Sequence, residues 1–388
     1  MLQDTIYFPC EPLIVINMSD TDLLFVSNGH GEDAIGARIA REIQGFRSAA
    51  LPLVGGGAPY RNAGITVLGP ALALPSGGWG LQRLPFLLAD LRRGLIRGWQ
   101  DALAAARLAR PRLVVGIGDV VPAVFAAIAG LPPIVLVGCN KTDYYRTWGE
   151  SYLAAEIAAL RAWDAEVLPR DERTHERLSR LGLRSRFLGN VMPDLVGELP
   201  PPGRGIALLP GSREDARINL PVMLEAIKTL HLIGPPASRR LQGTGGTPAL
   251  PGAREVEAKV ALAPGLEDLE TLARGEGVAL ADLDGALASA GVAIATAGTA
   301  AEVAAAHGRH VVAFPGPGPQ YTASFARRQQ ELLGDAMTLC TRESPAIAAA
   351  AARALFDETL MTTTAEIGRE RVGRSGAAQR ISEYLQSR

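Results

Sequence analysis

Gly205-Ile206-Ala207-Leu208-Leu209-Pro210-Gly211-Ser212-Arg213-Glu214 is the stretch that decides the fold. Ile206 to Leu209 read as a short buried strand, which Pro210 and Gly211 stop. Ser212 is placed to cap a helix whose apolar positions recur at Ile218, Val222, Met223, Ile227 and Leu230. A helix N-terminus presents unpaired N–H groups and the positive end of its dipole, a setting that suits phosphate. Arg213 adds a planar, permanently charged fork for the same oxygens. Taken alone, the turn fits an ordinary βα corner with a surface arginine equally well. The neighbouring sequence decides between the two.

The same unit recurs downstream. Val260–Ala263 reads as a strand, Leu266–Leu272 as a helix and Val292–Ala295 as a firm strand that ends in Thr296-Ala297-Gly298-Thr299-Ala300-Ala301-Glu302 and an alanine-rich helix. His310–Phe314 is the next strand, followed by Pro315-Gly316-Pro317-Gly318-Pro319-Gln320-Tyr321. The Gly-, Pro- and Ser/Thr-rich stretch 235–254 reads as a mobile loop, and Ala377–Gln386 as a closing helix that crosses back to the first half.

Upstream, Leu23–Val26 is a strand that runs into Ser27-Asn28-Gly29-His30-Gly31-Glu32-Asp33 and a helix with Ile35, Ile39 and Ile43 on one face. Glycines 29 and 31 are expected to let the backbone turn sharply beside a ligand, although the turn is not a full dinucleotide fingerprint. His30, Glu32 and Asp33 make its tip polar, and Asp33 also suits a helix cap. Leu51–Val54 and Thr66–Leu68 follow as strands. Leu113–Ile117 ends in Gly118-Asp119, where open α/β sheets collect functional groups; Asp119 suits either a catalytic base or a cap of the next helix. Ile134–Val137 leads into the polar loop Asn140-Lys141-Thr142-Asp143-Tyr144-Tyr145. Pro193 and Pro200-Pro201-Pro202-Gly203 mark a hinge. The organisation expected is therefore two Rossmann-like domains, residues 1–197 and 198–365, with 366–388 returning to the first. Each alternates strands and helices around a parallel sheet, and the two sheets face a central cleft.

Composition narrows the class. At 388 residues the chain exceeds one core, and 47% hydrophobic with 20% charged residues fits a folded rather than a disordered chain. A formal net charge of -1 gives no case for nucleic acid. Cys10, Cys139 and Cys340 are far apart and match no metal or disulfide pattern, which fits a reducing cytoplasm. No signal peptide is expected from the N-terminal pattern. The uncharged run Val120–Gly138 is broken by Pro122, Gly130, Pro132 and Pro133, so it reads as a buried helix, a turn and a strand rather than a membrane span. In Leu72–Arg110 a leucine and aromatic face lies beside Arg83, Arg92, Arg93 and Arg97. That pattern suits peripheral contact with an anionic membrane face, and it suits a core-packed amphipathic helix as well.

Leu208-Leu209-Pro210-Gly211-Ser212-Arg213, then Gly298-Thr299-Ala300-Ala301-Glu302, with Phe187-Leu188-Gly189-Asn190-Val191-Met192-Pro193-Asp194 before them, resemble lipid-A-disaccharide synthase. The Ser27–Asp33 turn is closer to the synthase-related proteins known from cyanobacteria. The resemblance covers most of residues 22–385. It implies a GT-B glycosyltransferase that moves a sugar from a UDP-sugar to a lipid or lipid-linked acceptor, inverting and metal-independent, with no cofactor. It assigns Gly211, Ser212 and Arg213 to the diphosphate, with Gly298 and Thr299 facing it, and Glu302 to the ribose hydroxyls. Gly29 and Asn190 join the expected UDP-sugar contacts. Asp119 matches the synthase's candidate base. The loop Asn140–Tyr145 departs from the synthase's aromatic-rich loop on the acceptor side. A UDP-sugar epimerase, with His30, Glu32 and Asp33 as acid/base groups, and a non-catalytic nucleotide-sugar binder are the alternatives on the same fold.

Overall fold

The computed structural model describes residues 21–69, 95–145, 151–211, 214–233, 256–263, 265–318 and 320–388. Short runs of uncharged Val, Ile, Leu and Ala become strands buried on both faces, as parallel sheets require. The first half runs β1 (Leu23–Ser27), α1 (His30–Arg41), β2 (Ser48–Pro52), α2 (Ala58–Asn62), β3 (Thr66–Val67), α3 (Leu95–Ala109), β4 (Leu113–Gly118), α4 (Val121–Ala129), β5 (Ile134–Gly138), α5 (Ala154–Ala162), β6 (Glu166–Leu168) and α6 (Glu172–Arg180). The second half runs β7 (Gly205–Leu209), α7 (Glu214–Ile233), β8 (Ala258–Ala261), α8 (Glu267–Gly275), β9 (Ala279–Ala281), α9 (Leu283–Ala288), β10 (Ala290–Ala295), α10 (Gly298–Ala306), β11 (His310–Ala313), α11 (Ala323–Leu333), β12 (Met337–Leu339), α12 (Ser344–Phe356), α13 (Glu358–Arg371) and α14 (Ala377–Gln386).

Both sheets are six-stranded, ordered β3-β2-β1-β4-β5-β6 and β12-β11-β10-β7-β8-β9. Counted from its own first strand, the second repeats the order of the first. In each, the order reverses beside the first strand, and that is where an open α/β sheet leaves a crevice. Register fixes what lies there. β1 pairs β4 in parallel from Leu23↔Leu113 to Ser27↔Ile117, so the Asn28-Gly29 turn emerges beside Gly118-Asp119. β7 pairs β10 with Leu209↔Ala295, so Pro210-Gly211 emerges beside Thr296.

Several boundaries differ from the sequence expectation. β2 begins at Ser48 rather than Leu51, because small Ala49 and Ala50 supply its pairing with β1. β8 begins at Ala258, its start hidden in the sequence by Lys259, which pairs with Glu257 at the surface. β9 and β12 are edge strands of three residues each, too short to show a period. Neither Gly29 nor Gly31 lies in the left-handed region. Gly29 is fully extended at φ 175°, and what it provides is room, since a methyl group there would strike the Glu32 carboxyl group. Asp33 does not cap α1, which begins three residues earlier. The 235–254 loop, residues 1–20, residues 72–94 of the arginine-rich segment and Cys10 lie outside the described residues.

The described part of that segment, α3, packs one face inward: Ala102 and Ala106 are buried and Trp99 meets Phe125 edge-on at 5.7 Å between ring centroids. Ile96 and Leu108 remain exposed. Among the described residues no helix is long and apolar enough to cross a membrane.

The two halves are tied through the hinge. Arg38 Nε donates to the Asp194 carbonyl at 2.9 Å, His307 Nε2 to the Pro193 carbonyl at 3.0 Å and Arg309 Nη2 to the Pro200 carbonyl at 2.7 Å. α14 lies against the first half: Arg380 Nε reaches the Leu188 carbonyl at 2.8 Å and Tyr384 donates to Glu166 at 2.6 Å. The Asp194 carboxylate accepts from the N–H groups of Gly376 and Ala378, so a hinge residue caps α14. One apolar cluster runs through both halves, from Phe25, Ile35 and Ile39 by way of Val191 and Met192 to Ala301, Val311 and Ile381.

Candidate active site

The second-half wall is three βα turns laced together. Thr296 Oγ1 donates to the Pro210 carbonyl at 3.0 Å and accepts from Asn219 Nδ2 at 3.1 Å. These bonds join the turn after β7 to the turn after β10. Gly211 has φ +103°, a left-handed conformation that favours glycine, and a methyl group there would lie 3.3 Å from the Thr296 carbonyl oxygen. Buried Asp215, in the first turn of α7, accepts from the N–H groups of Gln320 at 3.2 Å and Tyr321 at 2.9 Å, which fixes the loop after β11. Tyr321 in turn donates to Gln329 at 2.5 Å, and Gln329 Nε2 donates to the Gly298 carbonyl at 2.8 Å. The wall is therefore made of glycines, hydroxyls, amides and backbone, with the Asp215 carboxylate turned inward as a fastening. Thr296, Asn219, Asp215 and Gln329 carried no motif in the sequence. Their polarity inside otherwise apolar helices and turns was the available signal. Ser212 and Arg213 lie outside the described residues.

The first-half edge has a different chemistry. Asp119 Oδ1 accepts from Val121 N at 2.9 Å at the start of α4. Burial raises the pKa of Asp119, against the Val121 N–H bond and the Lys141 ammonium, which favour its charged form. Lys141 itself pairs with Glu156 at 2.9 Å. Glu32 accepts from Asn140 Nδ2 at 2.7 Å, which links the turns after β1 and β5. The gap between them is filled by Gly118, where a methyl group would lie 3.3 Å from Glu32 Cγ. Glu32, Asp119, Asn140 and Lys141 thus share one corner.

His30, exposed at the start of α1, lies beside Gly55 after β2. Asp33 is fully buried behind it, with Oδ1 accepting from the Ser27 hydroxyl at 2.6 Å and Oδ2 left without a hydrogen-bond partner. Burial pushes its pKa up to about 7, against the Ser27 hydrogen bond and with help from the Glu32 charge. Asn190 is buried in the hinge, where its Oδ1 accepts from Met192 N at 3.1 Å.

The two edges meet at α10. A methyl group at Gly31 would lie 3.1 Å from Thr299 Oγ1, so the first turns of α1 and α10 stand opposite each other across the cleft. Glu302, one turn further along α10, forms an ion pair with Arg170, which follows β6 in the first half. Arg371, at the end of α13, stacks on Tyr144 of the loop after β5 at 4.5 Å from the ring centroid. Among the described residues no cluster of three or more His, Cys, Asp or Glu side chains is arranged to hold a metal ion.

Two Rossmann-type sheets of the same strand order, closing on a shared cleft and tied by a C-terminal helix, define the GT-B architecture. The chain is 28% identical over 233 residues to the lipid-A-disaccharide synthases of Anaeromyxobacter sp. (strain K) and Anaeromyxobacter dehalogenans. The match takes in 55% of this chain and 57% of those proteins, so the chain spans a little over half the length of the curated relatives it matches. No protein-family model matches the chain.

Among solved structures, the calicheamicin glycosyltransferase CalG4 aligns with a TM-score of 0.57 at 16% identity, covering 95% of this chain and 99% of that one. The spinosyn forosaminyltransferase SpnP aligns at 0.55 and 15% identity, covering 95% and 99%. The Methanocaldococcus jannaschii UDP-GlcNAc 2-epimerase in complex with UDP-GlcNAc and UDP aligns at 0.51 and 11% identity, covering 95% and 100%. At these identities the alignments establish the fold, and both glycosyltransferases and an epimerase share it.

Proposed function

We propose that the protein is a glycosyltransferase that moves a sugar from a UDP-sugar to a lipid or lipid-linked acceptor. The observation that carries this reading is the contrast across the cleft: a wall of glycine turns, helix N-termini, hydroxyls and amides whose two carboxylates, Asp215 and Glu302, are each held by a partner, and on the other side a corner that gathers Glu32 and Asp119. The wall around Gly211, Gly298 and Thr299 suits a diphosphate, because helix N-termini and glycine turns offer N–H groups at close range. Glu302 would take the ribose hydroxyls. Arg213 and Ser212, read from sequence alone, would complete the diphosphate contacts.

Departure of the nucleoside diphosphate builds negative charge, which an arginine and helix N-termini stabilise without a metal. Asp119, its basicity raised by burial, would accept the proton of the attacking acceptor hydroxyl. Direct attack from the side opposite the leaving group inverts the anomeric centre. The sequence similarity to lipid-A-disaccharide synthases supports a lipidic acceptor. Exposed Ile96 and Leu108 on α3, with exposed Ile128 on α4, support contact with a membrane face.

Mass spectrometry of membrane lipid extract incubated with the protein and a panel of labelled UDP-sugars tests the reading directly. A new glycolipid is expected, and none with any donor would overturn it. A second reading is favoured by one observation: His30, Glu32 and Asp33 place three titratable groups on one turn, as epimerisation of a sugar would use. UDP-GlcNAc incubated without acceptor separates the two, since an epimerase turns over and a transferase does not.

A further inference from the structure

Arg170 belongs to no motif, yet it is 3% exposed, and its partner Glu302 is 6% exposed. Burying an ion pair costs solvation on both sides, so such a pair is weak evidence for stability and needs another reason to exist. The setting supplies one. Arg170 comes from the first half, just after β6, where Nη1 is anchored on the Cys139 carbonyl at 2.9 Å. Its Nη2 crosses to Oε2 of Glu302 on α10. Thr299, three residues before Glu302 and so on the same face of α10, is the residue that closes on Gly31. The pair therefore forms only when the two halves are together. A carboxylate accepts from about four lone-pair directions, so Glu302 held through Oε2 keeps capacity for hydroxyl donors.

We propose that Arg170 is a positioning residue of the donor site: supplied by the acceptor half, it holds Glu302 in the orientation that receives the nucleotide's ribose hydroxyls, and thereby couples nucleotide binding to closure of the cleft. This rests on reading the α10 corner as the nucleotide site. Coupling is reciprocal. Whatever closure contributes to UDP binding, UDP binding contributes to closure.

The test is calorimetric titration of UDP into the full-length wild type, Arg170→Gln, Arg170→Lys, Glu302→Gln and the Arg170→Gln/Glu302→Gln double variant. Small-angle scattering with and without UDP reports cleft closure, and circular dichroism confirms folding. Arg170→Gln is expected to weaken UDP binding about tenfold and to abolish UDP-induced compaction. Arg170→Lys should recover part of both, because it keeps the charge without the fork. In the Glu302→Gln background, Arg170→Gln should change affinity by less than about twofold, since Arg170 acts through Glu302. A purely structural role would give equal losses in both backgrounds and would overturn the proposal, as would wild-type affinity in Arg170→Gln. If Arg170→Gln does not fold, the comparison of Arg170→Lys with wild type decides: unchanged affinity and compaction overturn the proposal. A wild type that binds no UDP would instead overturn the donor-site reading, and this inference with it.

Discussion

The edges of the two sheets are built on the same strand order and differ in what they hold. The first edge gathers Glu32, Asp119, Lys141 and, behind His30, the buried Asp33. The second gathers Thr296, Asn219, Gln329 and glycine turns, with Asp215 fastening a loop and Glu302 paired to Arg170. One topology thus serves two chemistries. Titratable groups on one side are suited to moving protons, and fixed N–H dipoles on the other to holding an anion. The strand order of the sheet decides where the turns emerge, and the side chains on those turns decide what they do.

The largest effect is expected from removing a charge at the first edge. Asp119→Asn keeps the Val121 N–H bond and loses the basic oxygen. It should lower kcat by about 10²–10⁴-fold with UDP affinity unchanged, measured by glycolipid formation and calorimetry. Full activity would remove Asp119 from the role of base and leave Glu32 as the carboxylate at that corner.

The next effect concerns pH. Asp33 has its folded pKa raised to about 7, above its unfolded value. Its contribution to stability is therefore fully present below the unfolded pKa and is lost as pH rises towards 7. The span is about three pKa units, on the order of 4 kcal/mol between pH 4 and pH 7. Asp33→Asn keeps an oxygen for Ser27 and should flatten that slope in urea titrations run across the range. A variant with the wild-type slope would show that the group does not titrate as its burial requires.

Smaller effects should follow at the second edge, and they should appear in binding rather than in rate. Asp215→Ala leaves the N–H groups of Gln320 and Tyr321 without their acceptor. It should cost about 2 kcal/mol in urea unfolding and raise KM for the donor more than it lowers kcat. Thr296→Val removes the single hydroxyl that joins two turns. It should cost about 1 kcal/mol, with a proportionate loss of UDP affinity and an unchanged pH profile. A kcat defect as large as that of Asp119→Asn in either variant would erase the distinction between the edges.

The strands that set the fold were legible because their chemistry is local. Leu113 to Gly118, Ile206 to Leu209 and Val292 to Ala295 are uncharged runs bounded by turns, and each formed a central strand. The edge strands β9 and β12 were not legible: Ala279-Leu280-Ala281 and Met337-Thr338-Leu339 are too short to show a period and lack the paired β-branched residues that made Thr66-Val67 readable. At the site, Asp119 and Glu32 were visible as polar residues at strand ends. Arg170, Asp215 and Gln329 were not. Each acts on a partner 132, 106 or 31 residues away, and such separations leave no trace in local pattern. The glycines at 29 and 31 were visible as a turn, but the space they leave beside Glu32 and Thr299 was not.

The apolar cluster that passes from Phe25 through Met192 to Ile381 has a practical consequence. Each half also packs a core of its own, but the shared cluster joins them, so the two are expected to melt together. Scanning calorimetry should show one endotherm, and a compound that binds either side of the cleft should move it for the whole chain. A single fluorescence melting screen would then register acceptor mimics as readily as donor mimics, with no need to know beforehand which side a compound prefers.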